Sequence, residues 1–282
     1  MSITGQTLLS GIIGWPVAHS RSPQLHGYWL DKHSINGAMV PLAVRPDALP
    51  DAVQGLVALG FRGANVTIPH KEAVLELMDE VAPLARRIGA VNTITVKDGR
   101  LHGSNTDAFG FLAHLKASAP DWRADQGPVA VLGAGGAARA VIAALDEDGV
   151  EEIRLINRTR ERADAVATHF EGAPLTVMDW EDREDVLEDV SLLVNATSLG
   201  MTGKQPLDMR LASLPETAVV YDLVYVPLET PLLKRAREIG ARPVDGLGML
   251  MHQARPAFHA WYGVDPQVDA GLRDMLIRDL GL

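Results

Sequence analysis

The 282-residue chain contains no cysteine. That absence excludes disulfides, zinc–thiolate centres and every mechanism that needs a thiol nucleophile. Long apolar runs are missing as well. No stretch approaches the roughly 20 residues of a membrane-spanning helix, and the opening MSITGQTLLSGIIG lacks the basic start of a secretory leader. A soluble, cytoplasmic protein is expected. Basic charge is in deficit, with 26 Lys and Arg against 36 Asp and Glu and a net charge of −10. Such a field repels polyanions, so neither nucleic acid nor an anionic membrane is an expected partner, and a bound phosphate requires a local exception. Without a leader, the N-x-T triplets at Asn65, Asn157 and Asn195 are not read as glycan acceptors. What those amides bond inside the fold becomes the question.

What is present is a regular alternation of short apolar runs with helical periods, the mark of an α/β chain with mostly parallel sheets; the length suits two domains. Expected strands in the first hundred residues are LLSGIIG (8–14), AMVPLAV (38–44), GANVTI (63–68) and AVNTITV (90–96), the last returning through a KDGR turn. Ser22-Pro23 reads as the N-cap and first-turn proline of a helix over about 23–33, and a second helix follows Arg45-Pro46.

After a polar connector over 121–128 comes VAVLGAGGAARAVIAAL, a strand, a glycine turn and an Ala-rich helix in immediate succession. Gly133, Gly135 and the small Ala138 fit G-x-G-x-x-G/A, whose glycines let a pyrophosphate approach a helix N-terminus. The next strand, EEIRLIN (151–157), ends where an NAD site offers an acidic side chain to the ribose; here the chain reads Asn157-Arg158-Thr159-Arg160-Glu161-Arg162. A cationic cluster there suits a 2′-phosphate, so NADP is the expected cofactor. Exposed arginines at a helix start are the bland alternative. SLLVNATSLGM (191–201) and AVVYDLVY (218–225) read as further strands ending in polar loops, and the acidic run DWEDREDVLED (179–189) as a solvated face. Met249, Leu250 and Ala257 form a helical apolar stripe of the kind that usually packs in a core. His19, His26, His252 and His259 lack the spacing of metal ligands, and no metal site is expected.

Polar residues of the first hundred positions cluster near predicted strand ends: Ser20 and Ser22, Thr67 and Lys71, Asn92, Asn105 and Asp107. Each has an ordinary alternative. The serines and Asn105 or Asp107 can cap helices, and Lys71 can sit exposed in a helix's first turn.

Read in order, the motifs G-x-P-x-x-H-S-x-S-P-x-x-H (14–26), N-V-T-x-P-x-K (65–71), G-A-V-N-T (89–93), G-x-N-T-D-x-x-G (103–110), G-A-G-G-A-A-R-A (133–140), N-R-T (157–159), N-A-T-S (195–198), Y-D-L-V-Y-x-P-x-x-T-P-L-L (221–233) and G-x-G-M-L-x-x-Q (246–253) resemble the shikimate dehydrogenase family over nearly the whole chain. The resemblance implies NADP-linked interconversion of 3-dehydroshikimate and shikimate in aromatic amino-acid biosynthesis. It also implies a substrate domain over 1–107 completed by 246–282, and a Rossmann-like NADP domain over 108–245. By motif, Lys71 and Asp107 are the catalytic pair. Ser20 and Ser22 bind the substrate carboxylate, while Thr67, Asn92, Tyr225 and Gln253 hold the ring and its substituents. The cofactor positions are Gly133, Ala134, Gly135, Gly136, Ala137 and Ala138, then Asn157, Arg158, Thr159 and Arg162 near the 2′-phosphate, with Thr197, Gly246 and Met249 nearer the nicotinamide. At Gly27 the chain departs from the family's usual His-Asn continuation. The expected partners are a small-molecule substrate and, as an open option, a second copy of the chain in a homodimer.

The chemistry has its own case: hydride addition to a ketone builds negative charge on oxygen, which calls for a proton donor held by a second group. A lysine beside a carboxylate supplies both. Among rivals, Tyr28 and Lys32 match the Y-x-x-x-K spacing of short-chain dehydrogenases but precede the glycine turn instead of following it. Glutamyl-tRNA reductase resembles 133–159 in pattern, yet its chemistry needs a cysteine. A cofactor-sensing protein with an idle site is disfavoured by the retention of Lys71 and Asp107. Quinate-active relatives often carry threonine at the second serine, so Ser22 leans toward shikimate.

Overall fold

The computed structural model describes residues 3–281. The chain divides into two compact units: the residues up to Thr106 with Gln253–Gly281, and Asp107–His252.

In the first unit, β1 (Leu8–Gly14), α1 (Ser22–Lys32), β2 (Gly37–Ala43), α2 (Leu49–Ala58), β3 (Gly63–Val66), β4 (Glu80–Val81), α3 (Pro83–Ile88), β5 (Thr93–Lys97) and β6 (Arg100–Ser104) build a sheet of order β2-β1-β3-β5-β6-β4. Pairing is mostly parallel, as expected, with β5 the exception, antiparallel to both β3 and β6. The β5–β6 reversal is made by the tight turn at Asp98-Gly99, where both residues have positive φ (51° and 73°), the geometry that folds a strand straight back on itself. Successive residues of β1 face opposite sides. Ile13 joins Val53, Leu56 and Ile94 on one face, and Ile12 joins Met39, Ala257 and Trp261 on the other. Edge strand β2 carries the exposed Pro41.

The second unit starts with α4 (Asp107–Ser118) and continues through β7 (Val129–Leu132), α5 (Gly136–Glu147), β8 (Ile153–Ile156), α6 (Arg160–His169), β9 (Leu175–Met178), β10 (Leu192–Asn195), β11 (Val219–Asp222), α7 (Pro231–Glu238) and β12 (Arg242–Val244). Its sheet is wholly parallel, in the order β12-β11-β10-β7-β8-β9. Buried on both faces, these strands read as apolar runs, and the order reverses at β7, the switch point beside which dinucleotides bind in this fold. The run at 179–189 is not merely a solvated face. Asp179, Glu184 and Asp189 are each held by an arginine, Arg160, Arg210 and Arg154 respectively, all at 2.6 Å. Leu187, within that run, is buried in the core.

Two helices close the chain, α8 (Leu247–Tyr262) and α9 (Ala270–Leu280). The passage back to the first unit falls at Gln253, inside α8, instead of at Gly246. Contacts explain why the first turns of α8 belong with the second unit: His252 stacks on His114 of α4 with ring centroids 5.9 Å apart. Beyond the boundary, Trp261 donates its indole N–H to the Ile94 carbonyl of β5 at 3.0 Å.

Candidate functional site

In the first unit the polar residues gather at one edge of the sheet. Ser20 and Ser22 follow β1, Thr67 and Lys71 follow β3, and Thr106 follows β6. Asn92 precedes β5, but β5 runs antiparallel and pairs Thr93 with Asn65 of β3 and Ser104 of β6, so its beginning lies at the same edge.

Ser22 is not an N-cap. It is the first residue of α1, Arg21 occupies the cap position without a side-chain bond, and the Ser20 hydroxyl accepts the Ser22 N–H at 3.3 Å. Lys71 is likewise not in the first turn of a helix: it is half-buried in the turn leading into a short 3-10 stretch, Ala73–Leu77, and its carbonyl accepts the Val91 N–H at 2.8 Å. Thr67 is tied by its N–H to the Ile13 carbonyl at 2.9 Å.

Asn92, 2% exposed, is held by its neighbours. Its Oδ1 accepts the Thr106 backbone N–H at 2.9 Å and the Thr93 hydroxyl at 3.0 Å. Its Nδ2 faces Thr106 Oγ1 at 3.1 Å and Gln253 Oε1 at 3.5 Å. Two of the residues placed here by motif, Asn92 and Gln253, thus meet in one hydrogen-bonded group.

In the second unit the motif residues follow successive parallel strands: Gly133 after β7, Asn157 after β8, Thr197 after β10, Tyr225 after β11 and Gly246 after β12. Asp107 opens α4 and is buried, and Met249 lies near the start of α8. Gly133 has φ of 110°, a backbone conformation that disfavours a side chain, and its N–H bonds the Ile156 carbonyl at 2.8 Å. At Gly135 and Gly136 a β-carbon would meet nothing within 4 Å. The start of α5 is therefore open to a ligand, whereas Ala138 packs inside. Arg158 and Arg162 are exposed at the end of β8 and make no ion pair among the described residues, while Arg160 is engaged by Asp164 and Asp179. This is a donor set that suits a phosphorylated dinucleotide.

The three N-x-T amides resolve differently. Asn157 donates to its own triplet's Thr159 carbonyl at 2.7 Å. Asn195 accepts from the Thr197 N–H and hydroxyl at 3.1 and 2.7 Å and donates to the Leu199 carbonyl and to Asp222. Asn65 reaches across the sheet to Thr93 Oγ1 at 3.2 Å. Asp222 also accepts from the Val224 N–H and the Thr230 hydroxyl, and burial raises its carboxyl to about 6. Together Asn195 and Asp222 brace the loops that carry Thr197 and Tyr225. Sequence reading passed over Asp222, although a single acidic residue ending an apolar strand was a visible signal.

Tyr28 and Lys32 are both occupied by Asp269. Their Y-x-x-x-K spacing belongs to the packing of α1. A cleft of about 550 Å³ lies at the opposite, amino-terminal edge of the second sheet. There the Trp122 N–H bonds the Ser191 hydroxyl, which in turn bonds Gly127 O, so two of its polar side chains are spoken for. Among the described residues no cluster of His, Asp or Glu is arranged to hold a metal.

Residues 12–94 match the shikimate dehydrogenase substrate binding domain, and residues 115–203 match shikimate / quinate 5-dehydrogenase. A relative from Paramagnetospirillum magneticum, named shikimate dehydrogenase (NADP(+)), is 56% identical over 98% of this chain and 100% of its own. The chain belongs to the shikimate dehydrogenase family. Its structure follows that of the shikimate dehydrogenase from Aquifex aeolicus with a TM-score of 0.87 at 39% identity, covering 99% and 100% of the two chains. The Thermus thermophilus shikimate 5-dehydrogenase solved with NADP(H) and shikimate gives a TM-score of 0.86 at 40% identity, over 96% and 99%.

Proposed function

We propose that this member of the shikimate dehydrogenase family is an NADP-dependent oxidoreductase that interconverts 3-dehydroshikimate and shikimate in aromatic amino-acid biosynthesis, working in the cytoplasm. The reading is carried by one observation: the second unit has an open glycine turn followed by two arginines that make no ion pair among the described residues, the first unit has a sheet edge lined with hydroxyl, amide and lysine groups, and the chain is 56% identical to a relative of that name. The unit up to Thr106 with Gln253–Gly281 is assigned the substrate, and Asp107–His252 the cofactor.

In the second unit, backbone N–H groups at the start of α5 would receive the pyrophosphate, with Gly133, Ala134, Gly135, Gly136, Ala137 and Ala138 shaping the turn. Asn157 and Thr159 hold the loop in which Arg158 and Arg162 meet the 2′-phosphate. Thr197, Gly246 and Met249 border the nicotinamide. NADPH, when bound, supplies the hydride.

For the substrate, Ser20 and Ser22 donate hydroxyls to the carboxylate, and Thr67, Asn92, Gln253 and Tyr225 bind the ring hydroxyls. Lys71 stabilises the developing oxyanion and delivers its proton, and Asp107 is the carboxylate that works with it. A homodimer is carried as a further proposal, tested by sedimentation.

The deciding experiment incubates the purified protein with shikimate and NADP and follows reduced nicotinamide. Turnover is expected with that pair and should be much weaker with quinate or with NAD. No turnover by the folded protein, or a preference for quinate, would replace this reading.

A further inference from the structure

Beneath the substrate edge of the first unit lies a run of buried polar side chains to which motif reading assigns no task. His26, on α1, is fully enclosed with Trp29, Phe258 and Trp261 around its ring, at centroid distances of 6.0, 5.8 and 5.3 Å. Desolvation lowers its pKa to about 3, so the imidazole is neutral and carries one N–H. The Asn65 amide is the polar group that faces it, although neither ring nitrogen nor Asn65 Oδ1 attains hydrogen-bond geometry.

From Asn65 onward the orientation of the Asn92 and Gln253 amides follows from donor and acceptor logic. The backbone N–H of Thr106 can only donate, so the Asn92 atom it meets at 2.9 Å is the carbonyl oxygen. The Thr93 hydroxyl donates to that same oxygen at 3.0 Å, and Asn65 Nδ2 donates to the Thr93 hydroxyl at 3.2 Å. With two donors on Oδ1, the Asn92 amide must present its N–H groups to Thr106 Oγ1 at 3.1 Å and to Gln253 at 3.5 Å. The Thr106 hydroxyl, having accepted one proton, shares its own between Asn92 Oδ1 at 3.2 Å and Gln253 Oε1 at 3.4 Å.

We propose that Asn65, Thr93, Asn92, Thr106 and Gln253 form a chain of hydrogen bonds that fixes the Gln253 carboxamide with its oxygen inward. Its N–H₂ end is thereby turned toward the side from which a substrate oxygen is bound. Asn65 and Thr93 are positioning residues: they act through Asn92 and Gln253 and touch no substrate. The chain selects hydroxyl or carbonyl oxygens as acceptors at Gln253, because a flipped Gln253 amide would set its N–H₂ against that of Asn92, two donors face to face inside a low-dielectric interior. This inference rests on the assignment of Asn92 and Gln253 to substrate binding.

The test is a double-mutant cycle read by shikimate titration calorimetry and steady-state KM on the full chain. Thr93→Val keeps the β-branched shape and removes the hydroxyl, and Thr93→Ser restores it. The expected result is a loss of shikimate affinity of about three- to tenfold for Thr93→Val, with KM for NADP unchanged and Thr93→Ser near wild type. In an Asn92→Ala background Thr93→Val should cost no further affinity. A lowered melting temperature with unchanged shikimate affinity would mean a structural hydroxyl only and overturn the proposal, as would additive losses in the cycle. Should Thr93→Val fail to fold, Asn65→Leu breaks the chain one link earlier and is judged by the same criteria. Unchanged affinity in Asn92→Ala itself would remove the underlying assignment and the proposal together. A loss there with none in Thr93→Val removes the proposal alone.

Discussion

The His114 imidazole occupies the space that a side chain at position 248 would need: a β-carbon on Gly248 would lie 2.0 Å from His114 Nε2. His114 cannot readily withdraw, because its Nδ1 is paired with the Tyr221 hydroxyl at 2.9 Å and Tyr221 is itself fully buried, stacked on Phe111. Gly248→Ala should therefore lower stability by about 1–3 kcal/mol or more through overpacking. Equilibrium urea unfolding measures it. The Gly248→Ala, His114→Ala double variant should lose less than the sum of the single losses, since removing the ring vacates the space.

Arg158 and Arg162 are exposed and lack an ion pair among the described residues. Arg158→Ala should raise KM for NADP by about tenfold or more, the worth of a charge-assisted bond, and leave the weak use of NAD nearly unchanged. Arg160→Ala should leave both cofactors alone and loosen instead the contact with Asp179. Initial rates across both cofactors separate these outcomes.

For Lys71→Ala, kcat should fall by about a hundredfold or more with NADP binding and melting temperature near wild type. Asp107→Asn should also lower kcat. If the two act as one unit, the double variant loses much less than the product of the single losses. Near-normal kcat in folded Lys71→Ala would strike this residue from the mechanism.

Ser22→Ala offers a contrast between binding and folding. A cap would cost about 1 kcal/mol of stability, but Ser22 caps nothing here. Thermal melting should shift little, and KM for shikimate should rise with that for NADP unchanged.

Asp222 and His26 give stability opposite pH dependences. The Asp222 carboxyl is raised from 3.8 to about 6 by burial, so between those values the folded protein keeps a proton that the unfolded chain releases. Stability from this group is fully present below about pH 4 and is lost as pH rises to about 6, by about 2–3 kcal/mol. His26 is lowered from 6.5 to about 3, and its contribution is instead lost as pH falls through that range. Whole-protein profiles mix the two, so the informative quantity is the difference between wild type and Asp222→Asn. Wild type should gain on the variant as pH drops from 7 to 4, measured by denaturant unfolding at each pH.

Much of this was legible in the sequence because it was local. The glycine turn, the arginines after β8 and the Asp98-Gly99 hairpin follow from neighbouring residues, and the structure places each of them where the pattern does. The reversal of β5 changed the meaning of Asn92, which follows no strand but shares the edge through antiparallel pairing. Asn65 shows the limit more sharply. Its N-x-T triplet resembles those at 157 and 195, yet its amide bonds Thr93 instead of its own threonine. Pairing between residues 28 apart depends on sheet register, which no short window contains. The bracing role of Asp222 and the constraint of His114 on Gly248 are likewise long-range.

The prolines of the edge strands bear on how the protein behaves when crowded. The Val44 N–H points inward to the Gly14 carbonyl and the Arg242 N–H to Ala218, so by alternation Pro41 in β2 and Pro243 in β12 sit where the N–H would face outward. Each removes a rung that a foreign strand would need in order to add itself to the sheet. At the opposite edge of the first sheet β4 is only two residues long. Concentrated chains thus find three of the four sheet edges blunted against adding a foreign strand, and β9 (Leu175–Met178) is left as the edge without such a device.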